Sequence, residues 1–192
     1  MKKIKIIDIP WKELTTPYGR GTDIPRLIEN RNYKELNNLL EHQETLWQVT
    51  PWGVYFLLIQ LEEDFAEGKK NFSFDQMEIY DLVLTSFKNV IQNDYDKSEI
   101  FPDPLELISE GSLWSAPEDD DELYWEEEFP PGYDDISFLN TYYYSWKFIN
   151  DKAGLFEKIK DSTDNKELKD FLTGILAELK ELLEKTKDME LN

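Results

Sequence analysis

The run Thr50-Pro51-Trp52-Gly53-Val54-Tyr55-Phe56-Leu57-Leu58-Ile59-Gln60-Leu61 constrains the fold of this 192-residue chain more than any other segment. Proline at the first helical position sacrifices no hydrogen bond and threonine can accept from the free amides of the first turn, so a helix is expected to start here with Thr50 as its cap. Trp52, Val54, Tyr55, Phe56, Leu57, Leu58, Ile59, Leu61 and Phe65 leave it apolar on nearly every side. Such a helix has to be surrounded by others, which places it at the centre of the molecule. Gly68 with Lys69 and Lys70 offers a left-handed residue and cations for its negative end. With Gln60 inside it and Glu62-Glu63 after it, the run falls far short of the length that spans a bilayer.

Helical spacing recurs around this element. Trp11 to Leu14 suits one turn, and Pro17-Tyr18-Gly19-Arg20-Gly21 marks a change of direction. Thr22 or Asp23 is then expected to cap a short helix with Pro25 in its first turn, and Tyr33, Leu36, Leu39 and Leu40 define another to about Glu41. Asp75 with Glu78 resembles a capping box ahead of Met77, Tyr80, Val83, Leu84, Phe87, Val90 and Ile91, predicting a helix over 75–92. The pattern resumes at Ile136 and continues through Ile159 with a break at Gly154. In the last helix, capped by Thr163 or Asp164, Leu168, Phe171, Leu172, Ile175, Leu176, Leu179, Leu182 and Leu183 oppose Lys169, Glu178, Lys180, Glu181 and Glu184. Alternating β-branched residues are nearly absent, so the expected fold class is all-α, one domain over residues 1–192.

Between these helices residues 93–135 hold five prolines and two glycines, and read as a long loop with one short helix around Leu105 to Ser109. Loops of this length in compact domains are usually functional or disordered. The chain's formal charge of -20 is concentrated here. From Ser98 to Trp146 there is no Lys or Arg against 14 acids, while the rest of the chain holds 27 acids and 21 bases. Within the acidic loop, about 96–135, residues Asp119, Asp120, Asp121, Glu122, Glu126, Glu127, Glu128 and Asp134 are interleaved with Tyr124, Trp125 and Tyr133. A solvated linker gains nothing from exposing large rings. Binding surfaces use tyrosine and tryptophan as anchors, and charges around them speed encounter and reject wrong partners. These eleven residues are the candidate partner-binding set, and the partner expected for them is cationic; nucleic acid and anionic lipid are repelled.

Other chemistries find little support. With no cysteine the chain has no disulfide, thiolate metal site or thiol nucleophile, which favours a reducing compartment and a cytoplasmic location. The N-terminus begins basic but reaches Asp8 and Pro10 before any apolar region long enough for a signal peptide. A calcium loop counted from Asp119 puts Tyr124 where glycine is required. His42 is the only histidine and no Gly-x-Ser-x-Gly elbow accompanies it, so it reads as a hydrogen-bonded residue at a helix end. Tyr18-Gly19-Arg20-Gly21 lacks the further glycine of a phosphate loop. No catalytic, cofactor-binding or metal-binding residue is nominated, and the chain is not expected to be an enzyme, though a hydrolase built on two of its many carboxylates remains open.

Three segments carry a resemblance: Trp11-Lys12-Glu13-Leu14, Tyr18-Gly19-Arg20-Gly21-Thr22-Asp23-Ile24-Pro25, and Leu39-Leu40-Glu41-His42-Gln43-Glu44 leading to Thr50-Pro51. Together, over about a third of the chain, they resemble bacterial HEAT-like helical proteins found beside polymorphic toxins and suspected to be immunity proteins. The sequence departs from that pattern at Glu44, where the family tends to have glycine. The resemblance implies antiparallel helical hairpins, structural roles for His42 and Gln43, and a cognate toxin as partner. The expectation is an immunity protein that covers a toxin's basic active-site face; the alternative is a HEAT-like adaptor binding through its concave helical face.

Overall fold

The computed structural model describes residues 4–91, 99–114, 117, 121, 126 and 130–187. Among them the protein is mostly helical, with α1 (Ile24–Glu29), α2 (Tyr33–Leu40), α3 (Thr50–Ala66), α4 (Phe74–Val90), α5 (Asp135–Asn150), α6 (Ala153–Ser162) and α7 (Lys166–Lys185). No described helix is long and apolar enough to cross a membrane.

The all-apolar helix α3 is central, but it shares the centre with α5. Trp52, Val54, Leu57, Leu58 and Leu61 of α3 and Leu139, Tyr142, Tyr143, Trp146 and Ile149 of α5 are all buried in one continuous core. α5 lies against both α3 and α4, which touch each other far less. Trp52 and Tyr55 meet Phe148, and further along α3 Glu62 meets Lys152, just past the end of α5, so α3 and α5 run in the same direction. Parallel neighbours need a long connection, and everything from the end of α3 to Asp134 supplies it. The dominant helix pair is therefore not a sequential antiparallel hairpin; α1 with α2 and α6 with α7, each joined by a short link, are the sequential pairs that pack most closely.

α5 also explains how irregular segments are held. Asn140, fully buried, accepts from the Phe101 amide at 2.7 Å and donates to the carbonyls of Glu99 and Ile136, both at 2.8 Å. Tyr144 donates to the Phe101 carbonyl at 2.5 Å, and the Tyr142 hydroxyl accepts from the Leu46 amide at 2.9 Å. Asn140, Tyr142 and Tyr144 thus give partners to backbone groups of the irregular segments packed on this helix.

Several helix ends differ from expectation. Val49, not Thr50, precedes α3; Thr50 is the first helical residue, and its hydroxyl accepts from the Trp47 amide and donates back to the Leu40 carbonyl. The Asp75–Glu78 capping box does not form, because α4 starts one residue earlier with Ser73 before it. Asn165 rather than Thr163 or Asp164 caps α7, accepting from the Leu168 amide at 3.2 Å, while Thr163 accepts from Asn165. The break after α5 is at Asp151-Lys152, so Gly154 lies inside α6. The end of α3 is as expected: Gly68 adopts φ 80°, its amide reaches the Phe65 carbonyl, and the Lys69 amide reaches that of Asp64. The Lys69 ammonium, with Arg31, then pairs with the Asp64 carboxylate.

Two β-hairpins were not expected. β1 (Thr15–Thr16) pairs with β2 (Gly19–Arg20), and β3 (Glu41–His42) with β4 (Thr45–Leu46). Strands of two residues are too short for alternation to register in a sequence. Gln43 and Glu44, with φ 51° and 64°, form the tip of the second hairpin, the pattern of a tight turn whose twist suits flanking strands. His42 thus sits in a strand, 3.3 Å from the Tyr18 hydroxyl at the tip of the first hairpin. Within 93–135, expected to hold one short helix, the described residues include 3-10 turns at Pro104–Ile108 and Glu110–Ser112 and helical backbone at Asp121 and Glu126.

Candidate partner-binding site

The site is built outward from β1. In this hairpin the Gly21 amide bonds the Leu14 carbonyl at 2.8 Å, so the next residue, Thr15, turns its own N–H and C=O away from β2. That free edge lies in the interior and needs partners. Gln48, 6% exposed, supplies one: its Oε1 accepts from the Thr15 amide at 3.2 Å and from the Thr15 hydroxyl at 2.9 Å. The Gln48 Nε2 donates to the carbonyls of Ser112, at 2.7 Å, and Pro131, at 3.3 Å. One buried amide side chain therefore joins the first hairpin to the chain on both sides of the acidic segment.

The two ends of the segment also meet each other. Trp114 Nε1 donates to the Pro131 carbonyl at 2.8 Å, and the Trp114 amide to the Glu13 carbonyl at 3.0 Å. Gly132 adopts φ 76° at this junction, where a Cβ would lie 2.0 Å from Gln48 Nε2, so glycine is required both by backbone and by space. Segments that leave and rejoin a fold at one point are frequently functional.

Arg20 of β2 forms the outer part of this base. Its side chain is 3% exposed; Nε and Nη2 grip both oxygens of Asp121, while Nη1 donates to the Trp114 carbonyl at 2.6 Å and that of Lys12 at 3.2 Å. The guanidinium carbon also lies 5.3 Å from the centre of the Trp114 ring. A planar fork matched to a carboxylate and an aromatic face is an arrangement that lysine does not reproduce.

Four of the eleven candidate residues are described, and three of them belong to this base. The Tyr133 hydroxyl is 2.5 Å from that of Thr15, and its ring stands edge-on to Trp47 and Trp114 at 6.1 and 6.4 Å. Burial pushes its pKa up against the hydrogen bond with Thr15. Asp134 caps α5, accepting from the amides of Ile136 and Ser137 and from the Ser137 hydroxyl at 2.7 Å. Burial would raise its carboxyl, but the Ser137 side chain and the backbone amides hold it below the usual range. Asp121 is neutralised by Arg20. All three are held by contacts within the chain. Glu126 is exposed. Asp119, Asp120, Glu122, Tyr124, Trp125, Glu127 and Glu128 lie outside the described residues.

Sequence reasoning missed Gln48, Thr15, Arg20 and Trp114, which hold the base. Only Arg20 carried a signal, as a cation in a turn with an excess of acid elsewhere to meet it. Among the described residues no three His, Asp or Glu side chains converge as a metal site. No protein-family model, curated protein or solved structure matches the chain.

Proposed function

We propose that this protein is a bacterial immunity protein, of the HEAT-like kind its N-terminal third resembles, held in the cytoplasm and covering the basic active-site face of a cognate toxin with its acidic-aromatic segment. The observation that carries the reading is the base: the two ends of a strongly negative, ring-bearing stretch meet at one point, bolted by Gln48, Arg20 and Trp114. Fixing the ends of a binding segment lowers the entropy lost on association. The chain's charge supports the same reading, because a field of one sign steers a cationic partner towards it, and steered association reaches ~10⁸ M⁻¹s⁻¹ or more at low salt.

In this reading Tyr124 and Trp125 are the desolvated anchors, and Asp119, Asp120, Glu122 and Glu126 to Glu128 supply the field. Tyr133, Asp134 and Asp121 hold the stretch in place. The test is stopped-flow association with a purified cationic toxin domain. The triple substitution Glu126→Lys, Glu127→Lys, Glu128→Lys is expected to slow association about tenfold or more at low salt, with thermal stability unchanged. Equal rates for both proteins remove the segment from the interface.

A second reading, an adaptor that binds through its helices, is favoured by one observation, an apolar groove at the far ends of α3 and α5.

A further inference from the structure

Both central helices start near the base of the acidic segment, and their other ends frame a groove of about 720 Å³. Tyr55, Leu58 and Ile59 of α3 form one wall, and Tyr143, Tyr144 and Phe148 of α5 the other. The rings are fixed against one another: Tyr55 and Phe148 lie 5.2 Å apart, and Tyr144 and Phe148 5.9 Å. A preformed, aromatic-lined hollow of this size falls in the range of ligand sites, roughly 300–1,000 Å³.

The rim decides what fits. Its two cations are already spent, Lys152 on Glu62 at 2.7 Å and Lys147 on Asp151 at 2.5 Å. Glu63 has no ion-pair partner among the described residues. Asp103 and Glu106 add negative field at the Tyr144 wall: burial, then Tyr143, then these two carboxylates push the Tyr144 hydroxyl up. Three carboxylates, Glu62, Glu63 and Asp151, thus line the groove beside two paired lysines, with the charges of Asp103 and Glu106 felt at Tyr144. An anionic ligand is repelled, and a cation gains both the unpaired carboxylate and aromatic faces.

Length decides the rest. From Tyr55 to Glu63 the α3 wall runs about 12 Å at 1.5 Å per residue. An extended chain covers that distance in about four residues at roughly 3.3 Å each.

We propose that this groove is a second docking site, distinct from the acidic segment, for a short extended peptide segment of a partner protein that carries apolar side chains flanked by arginine. The apolar groups lie on Tyr55, Ile59 and Phe148, and a guanidinium meets Glu63 at the rim, competing with Lys152 for Glu62.

The experiment uses the full ¹⁵N-labelled chain and the probe acetyl-Arg-Trp-Leu-Arg-amide, with acetyl-Glu-Trp-Leu-Glu-amide as control. Saturable shifts are expected at the amides of Tyr55, Ile59, Glu63 and Phe148 with the basic peptide alone. Glu63→Lys should weaken binding about fivefold, the scale of an exposed ion pair lost and replaced by repulsion, while Glu126→Lys changes it less than about twofold. Ile59→Trp, which fills the groove without touching an ion pair, should block the site; if that variant does not fold, the exposed Glu63→Lys still decides. Shifts confined to residues 117–135, equal binding of the acidic peptide, or Glu63→Lys binding like the wild type each overturn the proposal. None of these outcomes refutes capture through the acidic segment, which the Glu126 to Glu128 reversal tests separately.

Discussion

Gln48→Leu keeps roughly the volume of the side chain and removes all four of its polar contacts. Two of the groups it leaves have other partners: the Thr15 hydroxyl keeps Tyr133, and the Pro131 carbonyl keeps Trp114 Nε1. The other two do not have such a replacement. The Thr15 amide points away from β2, and the Ser112 carbonyl receives the shortest of the Gln48 bonds, at 2.7 Å. An orphaned buried backbone group costs about 1–3 kcal/mol. Two of them cost about 4 kcal/mol, offset by about 1 kcal/mol from burying leucine in place of an amide, which leaves a net loss of about 3 kcal/mol. With a urea slope of about 2–3 kcal/mol per molar, the unfolding midpoint falls by about 1–1.5 M. Equilibrium unfolding followed by tryptophan fluorescence reads that shift directly. A double-mutant cycle with Thr15→Val then isolates the pair, with a coupling of about 0.5 kcal/mol or more expected. A loss below about 0.5 kcal/mol for Gln48→Leu, the size of an ordinary surface change, refutes the assignment of Gln48 as the bolt of the base.

Further outcomes follow from the same geometry. Asp121→Ala leaves the buried Arg20 guanidinium without its carboxylate and should cost about 2–4 kcal/mol in chemical unfolding, whereas Glu126→Ala, at an exposed position, stays within about 0.5 kcal/mol. Gly132→Ala forces a left-handed alanine against Gln48 and should cost about 2 kcal/mol or more, read from the thermal midpoint. Asp81 titrates above its ordinary value because burial, and then the charge of Glu78, disfavour its ionised form. A carboxyl whose folded pKa is raised costs stability above that pKa, and the cost fades as pH falls through it toward the unfolded value. Asp81→Asn should therefore raise stability at pH 7 and make no difference at about pH 3, where both states of the wild type are protonated. Asp64 behaves oppositely: burial would raise it, but hydrogen bonds from Arg31 and Lys69 hold it low, so its contribution is present at neutral pH and lost on acidification. Asp64→Asn should destabilise at pH 7 and converge with the wild type in acid, measured by urea unfolding at both values.

The helices were legible because each signal is local. The run Trp52 to Leu61, the spacing of Leu168 to Leu182, Pro25 and Pro51 near helix starts and Gly68 at a helix end act within a few residues of themselves, and the structure follows them. Caps were less legible, since Thr50, Asp75 and Thr163 are competent cap residues whose neighbours offered the backbone a better geometry one or two positions away. The hairpins left no trace, because a two-residue strand has no period.

By itself, then, the sequence determined that this chain is mostly helical, that its charge is concentrated in one stretch, and that α3 is central. Only the tertiary structure decided that α3 and α5 lie parallel, that Gln48 and Arg20 reach across 64 and 101 positions to bolt the acidic stretch at Ser112 and Asp121, and that Tyr133 and Asp134 serve that base. The physical reason is the range of the interactions. Backbone preference and periodicity are written in adjacent residues, whereas a buried amide or guanidinium finds its acceptors wherever the packing of distant helices leaves carbonyls without partners.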